Sequence, residues 1–63
     1  GITQEMLHKA MKELERAIEN TTARMKTAAN QLDFEKAIEL REEVNKLMKQ
    51  LEKLKRKKHN QNG

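Results

Sequence analysis

The sequence predicts an all-α fold, an antiparallel two-helix hairpin (a short coiled coil) that pairs into a dimeric four-helix bundle. The chain has no Pro, and its only glycines are the terminal residues Gly1 and Gly63. Charged residues make up 38% of the 63 residues and hydrophobic residues 35%, a mixture typical of long helices or coiled coils. The hydrophobic residues recur alternately three and four positions apart in two separate runs, which is the heptad pattern of packed helices.

The first run predicts a helix over about residues 3–30. Thr3 precedes this run, and its hydroxyl suits the N-cap, where a side-chain oxygen accepts a hydrogen bond from a backbone N–H of the first turn. Thr21 is the polar member of the run, and we interpret it as a tolerated imperfection of the seam. The heptad members are Leu7, Met11, Leu14, Ile18, Thr21, Met25, Ala28 and Leu32.

The second run predicts a helix over about residues 34–57, with a turn at about 31–33. If the first heptad register continued past Leu32, its next positions would be charged, so the two runs do not share one seam. Asp33 suits the N-cap of the second helix. Because so short a turn joins antiparallel neighbours, the two runs predict a hairpin. The members of the second run are Ala37, Leu40, Val44, Leu47, Leu51 and Leu54.

Phe34, the single aromatic residue of the chain, lies at the break between the two runs. A large apolar side chain at this place either closes the end of the hairpin core or anchors a partner, and its ordinary tendency to be buried favours closure. Ile38 and Met48 lie off the seam and widen the apolar stripe of the second helix. This extra width leads us to expect a homodimer of hairpins.

The residue types exclude most chemistry. The chain has no Cys, no glycine-rich phosphate loop and no nucleophile beside a base, so we expect no enzyme activity and no cofactor. Its histidines, His8 and His59, have no Cys or Asp neighbours at ligand spacing, so we expect no metal site. No apolar run is long enough to span a membrane. The absence of Cys suits a cytoplasmic location.

Basic residues concentrate near the C-terminus. Five of the 14 positive charges, at Lys53, Lys55, Arg56, Lys57 and Lys58, fall within six positions. Two interpretations stay open: weak contact with nucleic-acid phosphates, or a solvated helix end whose cations favour the negative pole of the helix dipole. We predict that the hairpin domain covers residues 1–58 and that residues 59–63 form a disordered tail.

The sequence reads Met-Lys-Thr-Ala-Ala at residues 25–29 and Leu-Asp-Phe-Glu-Lys-Ala-Ile-Glu-Leu-Arg-Glu at residues 32–42. Together these two stretches resemble the UVR motif. The resemblance covers residues 25 to about 48, and Ile38 and Glu42 depart from the usual residues of the family, which are Ala and Asp. The motif occurs at the C-terminus of the UvrB subunit of the bacterial excision nuclease, in the UvrC subunit and in some Clp-family ATPases.

The resemblance implies a hairpin that dimerises through its apolar face and has no catalytic residue. It implies that the module serves nucleotide-excision repair by docking the damage-recognition helicase subunit onto a homologous UVR segment of a UvrC-type incision nuclease. One alternative is a UVR module of a Clp ATPase, or of its adaptor, in protein quality control. Another, based on the basic tail and not on the resemblance, is a nucleic-acid-binding hairpin. The expected partner-binding residues are Leu32, Phe34, Glu35, Ala37, Ile38, Leu40, Arg41 and Val44.

Overall fold

The computed structural model describes the backbone of residues 3–60 and the side chains of residues 3–57. Over this part of the chain it contains two α-helices, α1 at Gln4–Asn30 and α2 at Phe34–Asn60, which pack against each other along their lengths. The molecule is a rod of 47 × 15 × 13 Å. The predicted all-α helical hairpin is therefore confirmed, and its pairing into a four-helix bundle stays a proposal.

Thr3 caps the start of α1 as its sequence position predicts. Its backbone is extended, with φ −76° and ψ 160°, and its Oγ1 accepts a hydrogen bond of 3.2 Å from the backbone N–H of Met6. Glu5 places a negative charge in the first turn, where the helix dipole favours it. The cap satisfies one of the backbone donors that the first turn of a helix leaves without a partner.

A Schellman motif ends α1 and allows a short turn between the two helices. The N–H of Leu32 donates to the carbonyl of Ala29 at 3.0 Å, and the N–H of Asp33 donates to the carbonyl of Ala28 at 2.9 Å. Leu32 takes the left-handed position of this motif, with φ 62°. Glycine is the usual residue there because any Cβ is crowded in that conformation.

Asp33 also begins α2, as predicted. Its Oδ1 accepts a hydrogen bond of 3.4 Å from the N–H of Lys36, and its carbonyl accepts one of 3.0 Å from the N–H of Ala37. One residue therefore completes the end of α1 and caps the start of α2. Because the turn needs no further residues, the two helices lie side by side as antiparallel neighbours.

The far end of α2 differs from the prediction. The helix continues to Asn60, about one turn beyond the expected end near residue 57, so the backbone of residues 59–60 is helical where a disordered tail was expected. No Pro or Gly interrupts this segment, and basic side chains at a helix C-terminus interact favourably with the dipole. The remainder of the expected tail, residues 61–63, lies outside the described residues.

The core is a single narrow seam between α1 and α2. Other heptad positions are half-buried along the same seam, whereas Leu32, assigned to the seam by its spacing, lies in the turn and is 72% exposed. The prediction for Leu32 was wrong because α1 ends before it. The buried side chains are Leu7, Thr21, Ala28, Leu40 and Val44.

Candidate partner-binding surface at the turn

Three large apolar side chains are exposed around the turn. Leu32 is 72% exposed, Phe34 61% and Ile38 58%. We call these three residues the apical surface. Large contiguous apolar patches on soluble proteins mark interaction sites, which makes these three residues the candidate partner-binding surface.

Helix geometry explains why Phe34 and Ile38 face outward. They are four positions apart on α2, so they are neighbours on one side of the helix. Ile38 precedes the buried Leu40 by two positions, which separates the two side chains by about 200° around the helix axis. The apolar pair therefore lies outside the seam with α1. Phe34 does not close the hairpin core, and the interpretation that favoured closure was wrong.

The structure separates the eight predicted partner-binding residues into two groups. Leu40 and Val44 are buried in the seam, and Ala37 is half-buried at its edge. These three side chains support the hairpin, because the seam would have to open before Leu40 or Val44 met a partner. The exposed members are Leu32, Phe34, Glu35, Ile38 and Arg41.

A groove beside the turn adds residues that the sequence did not single out. Its volume is about 280 Å³, and small side chains of α1 form part of its wall. The Thr27 hydroxyl is held by a 3.0 Å hydrogen bond that it donates to the carbonyl of Ala23. The run of small residues before the turn was the feature of the sequence that could have indicated this groove. The lining residues are Ala23, Arg24, Thr27, Ala28, Gln31 and Lys36.

Two other large apolar side chains are exposed away from the turn. Met48 is 48% exposed and follows Arg41 by seven positions, so the two lie on nearly the same side of α2. Met6 is 61% exposed in the first turns of α1, close to the opposite end of the rod. Met48 extends the apolar stripe of α2 away from the turn, whereas Met6 stands apart from it.

Two other kinds of site are absent from the described residues. No group of three or more His, Cys, Asp or Glu side chains there is arranged to hold a metal ion. Neither described helix combines the length and the apolar character needed to cross a membrane.

Comparison with known proteins identifies the motif. The profile of the UVR family, described as the UvrB/uvrC motif, matches residues 15–50, which is more than half of the chain. Searches of curated proteins and of solved structures gave no significant match. The match includes the Schellman turn, the apical surface and most of the seam, and UVR motifs mediate protein–protein interactions. The chain therefore belongs to the UVR family.

Proposed function

We propose that this hairpin is a protein-interaction module of nucleotide-excision repair. In this proposal it docks the damage-recognition helicase subunit onto a UvrC-type incision nuclease through a homologous UVR segment, and it does so in the cytoplasm. The observation that carries the proposal is the exposure of Leu32, Phe34 and Ile38 at the turn of a chain that matches the UvrB/uvrC motif.

The apical surface has the composition of a binding hot spot. Fully burying a Phe or Ile side chain contributes about 1.5–3 kcal/mol, so covering the exposed parts of Phe34 and Ile38 would supply much of a modest affinity. Aromatic anchors at the centre of an interface usually contribute more than the contacts around them. We therefore assign Phe34 as the anchor of the interface.

The remaining predicted residues take supporting roles in this proposal. Ala37 is small and half-buried, which lets a neighbouring helix approach α2 closely. Glu35 and Arg41 are exposed at the rim, where charges set orientation and association rate more than affinity. Leu40 and Val44 act indirectly, since they hold α2 against α1.

We further propose that the apolar stripe of α2 also pairs two copies of the chain. The hairpin by itself leaves Ile38 and Met48 exposed, and a second hairpin would cover them in the manner of a four-helix bundle. A homologous UVR segment of another protein would then replace one copy of the hairpin. A second copy of the hairpin and the UVR segment of the partner would therefore compete for one surface.

The test is a calorimetric titration of this chain with the isolated UVR segment of a UvrC-type nuclease. We expect Phe34→Ala to weaken binding by about thirtyfold or more, since truncating an aromatic hot spot costs ~2 kcal/mol or more. The control is Met6→Ala, because Met6 is as exposed as Phe34 but lies near the other end of the rod. This control should bind as the unchanged chain does.

Two results would contradict the proposal. Equal losses from Phe34→Ala and Met6→Ala would place the contact away from the apical surface. Tighter binding to the UVR segment of a Clp-type ATPase than to that of the nuclease would assign the module to protein quality control. Circular dichroism of each variant establishes that it is still helical before the titrations are compared.

A further inference from the structure

A row of charged side chains runs along the face of α2 that points away from α1. Each basic member follows a seam residue by two positions; Lys46, for example, follows Val44. Two positions correspond to about 200° around the helix, so the row lies opposite the seam. All seven members are exposed, and they alternate four and three positions apart: Glu35, Glu39, Glu42, Lys46, Lys49, Lys53 and Arg56. We call them the outer row.

The outer row is divided by sign of charge. Its three members nearest the turn are acidic, and the four beyond them are basic. The same division holds for α2 as a whole, because residues 46–57 contain six cations and one acid, whereas residues 34–45 contain four acids and two cations. Lys57 adds a further exposed cation beside the row, one turn after Lys53.

The helix dipole does not account for this arrangement. Dipole effects fall off within the last turn of a helix, whereas Lys46 and Lys49 lie about three turns or more before the end of α2 at Asn60. Lys49 and Lys53 are also like charges four positions apart, a pairing that slightly destabilises a helix. Lys46 and Arg56 each follow a glutamate by four positions, a weakly stabilising spacing, but Lys53 and Lys57 have no acid three or four positions away. An external anion is therefore the natural counterpart of the unpaired part of the row.

We propose that Lys46, Lys49, Lys53, Arg56 and Lys57 bind the phosphate backbone of double-stranded DNA. The basic part of the outer row is about 15 Å long, and a DNA duplex carries one negative charge per ~1.7 Å of its axis, so several phosphates lie within reach of a row of this length. Single strands suit the site less well, because their bases stack on aromatic side chains and Phe34 is at the opposite end of α2.

A second groove shows how two of these lysines are placed. Lys53 and Lys57 line a cavity of about 280 Å³ together with Leu14 of α1 and Leu54 of α2. Their hydrocarbon stems can lie along this apolar wall while the ammonium groups stay in water. The site differs from the basic cluster read from the sequence, since it adds Lys46 and Lys49. Lys55 lies on another face of the helix, and the side chain of Lys58 lies outside the described residues.

The acidic part of the outer row limits where DNA can lie. Glu35, Glu39 and Glu42 repel phosphates from the half of α2 that carries the apical surface. Phe34 and Arg56 are separated by about 33 Å along the helix axis. A DNA duplex on the basic part therefore leaves the turn open, and this inference does not depend on which protein binds there.

The experiment measures fluorescence anisotropy of a labelled 20-base-pair DNA duplex titrated with the 63-residue chain. About four phosphate contacts predict a loss of affinity on the order of 100-fold between ~0.05 M and ~0.2 M salt. Lys49→Gln/Lys53→Gln should weaken binding by about tenfold at ~0.1 M salt and reduce the salt slope by about two. The matched control is Arg16→Gln/Lys26→Gln, which removes two exposed cations of α1 and should stay within about threefold of the unchanged chain.

Several outcomes would overturn the inference. One is no binding at ~0.05 M salt, and another is an equal loss from the two double variants, which would mean that only net charge matters. Tighter binding to a single strand or to an RNA duplex of the same length would name a different ligand. A changed sedimentation coefficient in Lys49→Gln/Lys53→Gln with unchanged DNA affinity would mean that the outer row pairs with a second copy. Phe34→Ala should leave DNA binding unchanged, which separates this test from that of the proposed function.

Discussion

Leu32 is held in a backbone conformation that leucine seldom adopts. Its φ of 62° lies in the left-handed region, which costs an L-residue with a Cβ about 1 kcal/mol or more. Its side chain is 72% exposed, so contacts within the hairpin offset little of this cost. Strained residues of this kind tend to occur at functional sites. A partner that covers the Leu32 side chain would give the residue a role that glycine cannot fill.

Leu32→Gly tests the strain directly. We expect this change to raise the free energy of unfolding by about 0.5–1 kcal/mol, because glycine adopts the left-handed conformation without a Cβ penalty. Urea denaturation followed by circular dichroism measures the difference. Leu32→Ala is the control: it shortens the side chain and keeps the Cβ, so its stability should match that of the unchanged chain. A destabilised Leu32→Gly variant would show that the leucine side chain supports the turn.

The caps were predictable from sequence because their chemistry is local. Thr3 and Asp33 each accept a hydrogen bond from an N–H three positions later, and residue type with position is sufficient to expect this. The exposure of Leu32 and Phe34 was not predictable in the same way. Spacing placed Leu32 in the seam, and only the observed end of α1 at Asn30 shows that the heptad stops before it.

Each helix of the hairpin buries one stripe of its surface in the seam, and α2 has a second apolar stripe that is exposed. Leu40 and Ile38 show the difference, since they are two positions apart and are 8% and 58% exposed. Three-and-four spacing identified the seam because burial of one face follows the helical period. The same spacing does not reveal whether an off-seam residue such as Ile38 is covered, since that depends on the position of a neighbouring helix.

A matched pair of truncations distinguishes the two stripes of α2. Leu40→Ala should lower the free energy of unfolding by about 2–3 kcal/mol, because it leaves a cavity in a core that has few buried side chains. Ile38→Ala should change it by no more than about 0.5 kcal/mol at micromolar concentration, where the side chain is exposed. Thermal unfolding followed by far-UV circular dichroism, which reports secondary structure, measures both variants. Similar losses would mean that Ile38 is already buried in an oligomer at that concentration.

The whole molecule is a thin rod with little core for its length. Among the described side chains, four apolar ones are buried, and none of them is completely enclosed. Domains of this size bury a smaller share of their surface on folding than larger domains do, and they are marginally stable unless another chain adds to the core. The break between the two heptad runs was enough to predict the hairpin. The sequence of one chain does not specify how a second chain packs against it. Leu40 and Val44 were also predicted to bind a partner, but the structure packs both side chains against α1.

Pairing of hairpins predicts a stability that depends on concentration. Raising the protein concentration tenfold should raise the unfolding temperature of the unchanged chain by several degrees, since association adds to stability by mass action. Ile38→Gln/Met48→Gln should remove this dependence, whereas Met6→Gln should retain it. Sedimentation equilibrium provides the independent measure of mass. A monomer at all concentrations up to ~1 mM, a range in which weak complexes form, would exclude the dimer.

The exposed phenyl ring of Phe34 has a spectroscopic consequence. Because the chain contains one Phe and no Tyr or Trp, its ring protons give a single phenyl spin system in a proton NMR spectrum, and no isotope label is needed to assign it. Phe34 lies in the first turn of α2, about 33 Å along the axis from Arg56. A protein that covers the turn should shift and broaden the phenyl signals, whereas a DNA duplex on the basic part of α2 should leave their shifts in place. The Phe34 ring signals therefore report which end of the rod is occupied.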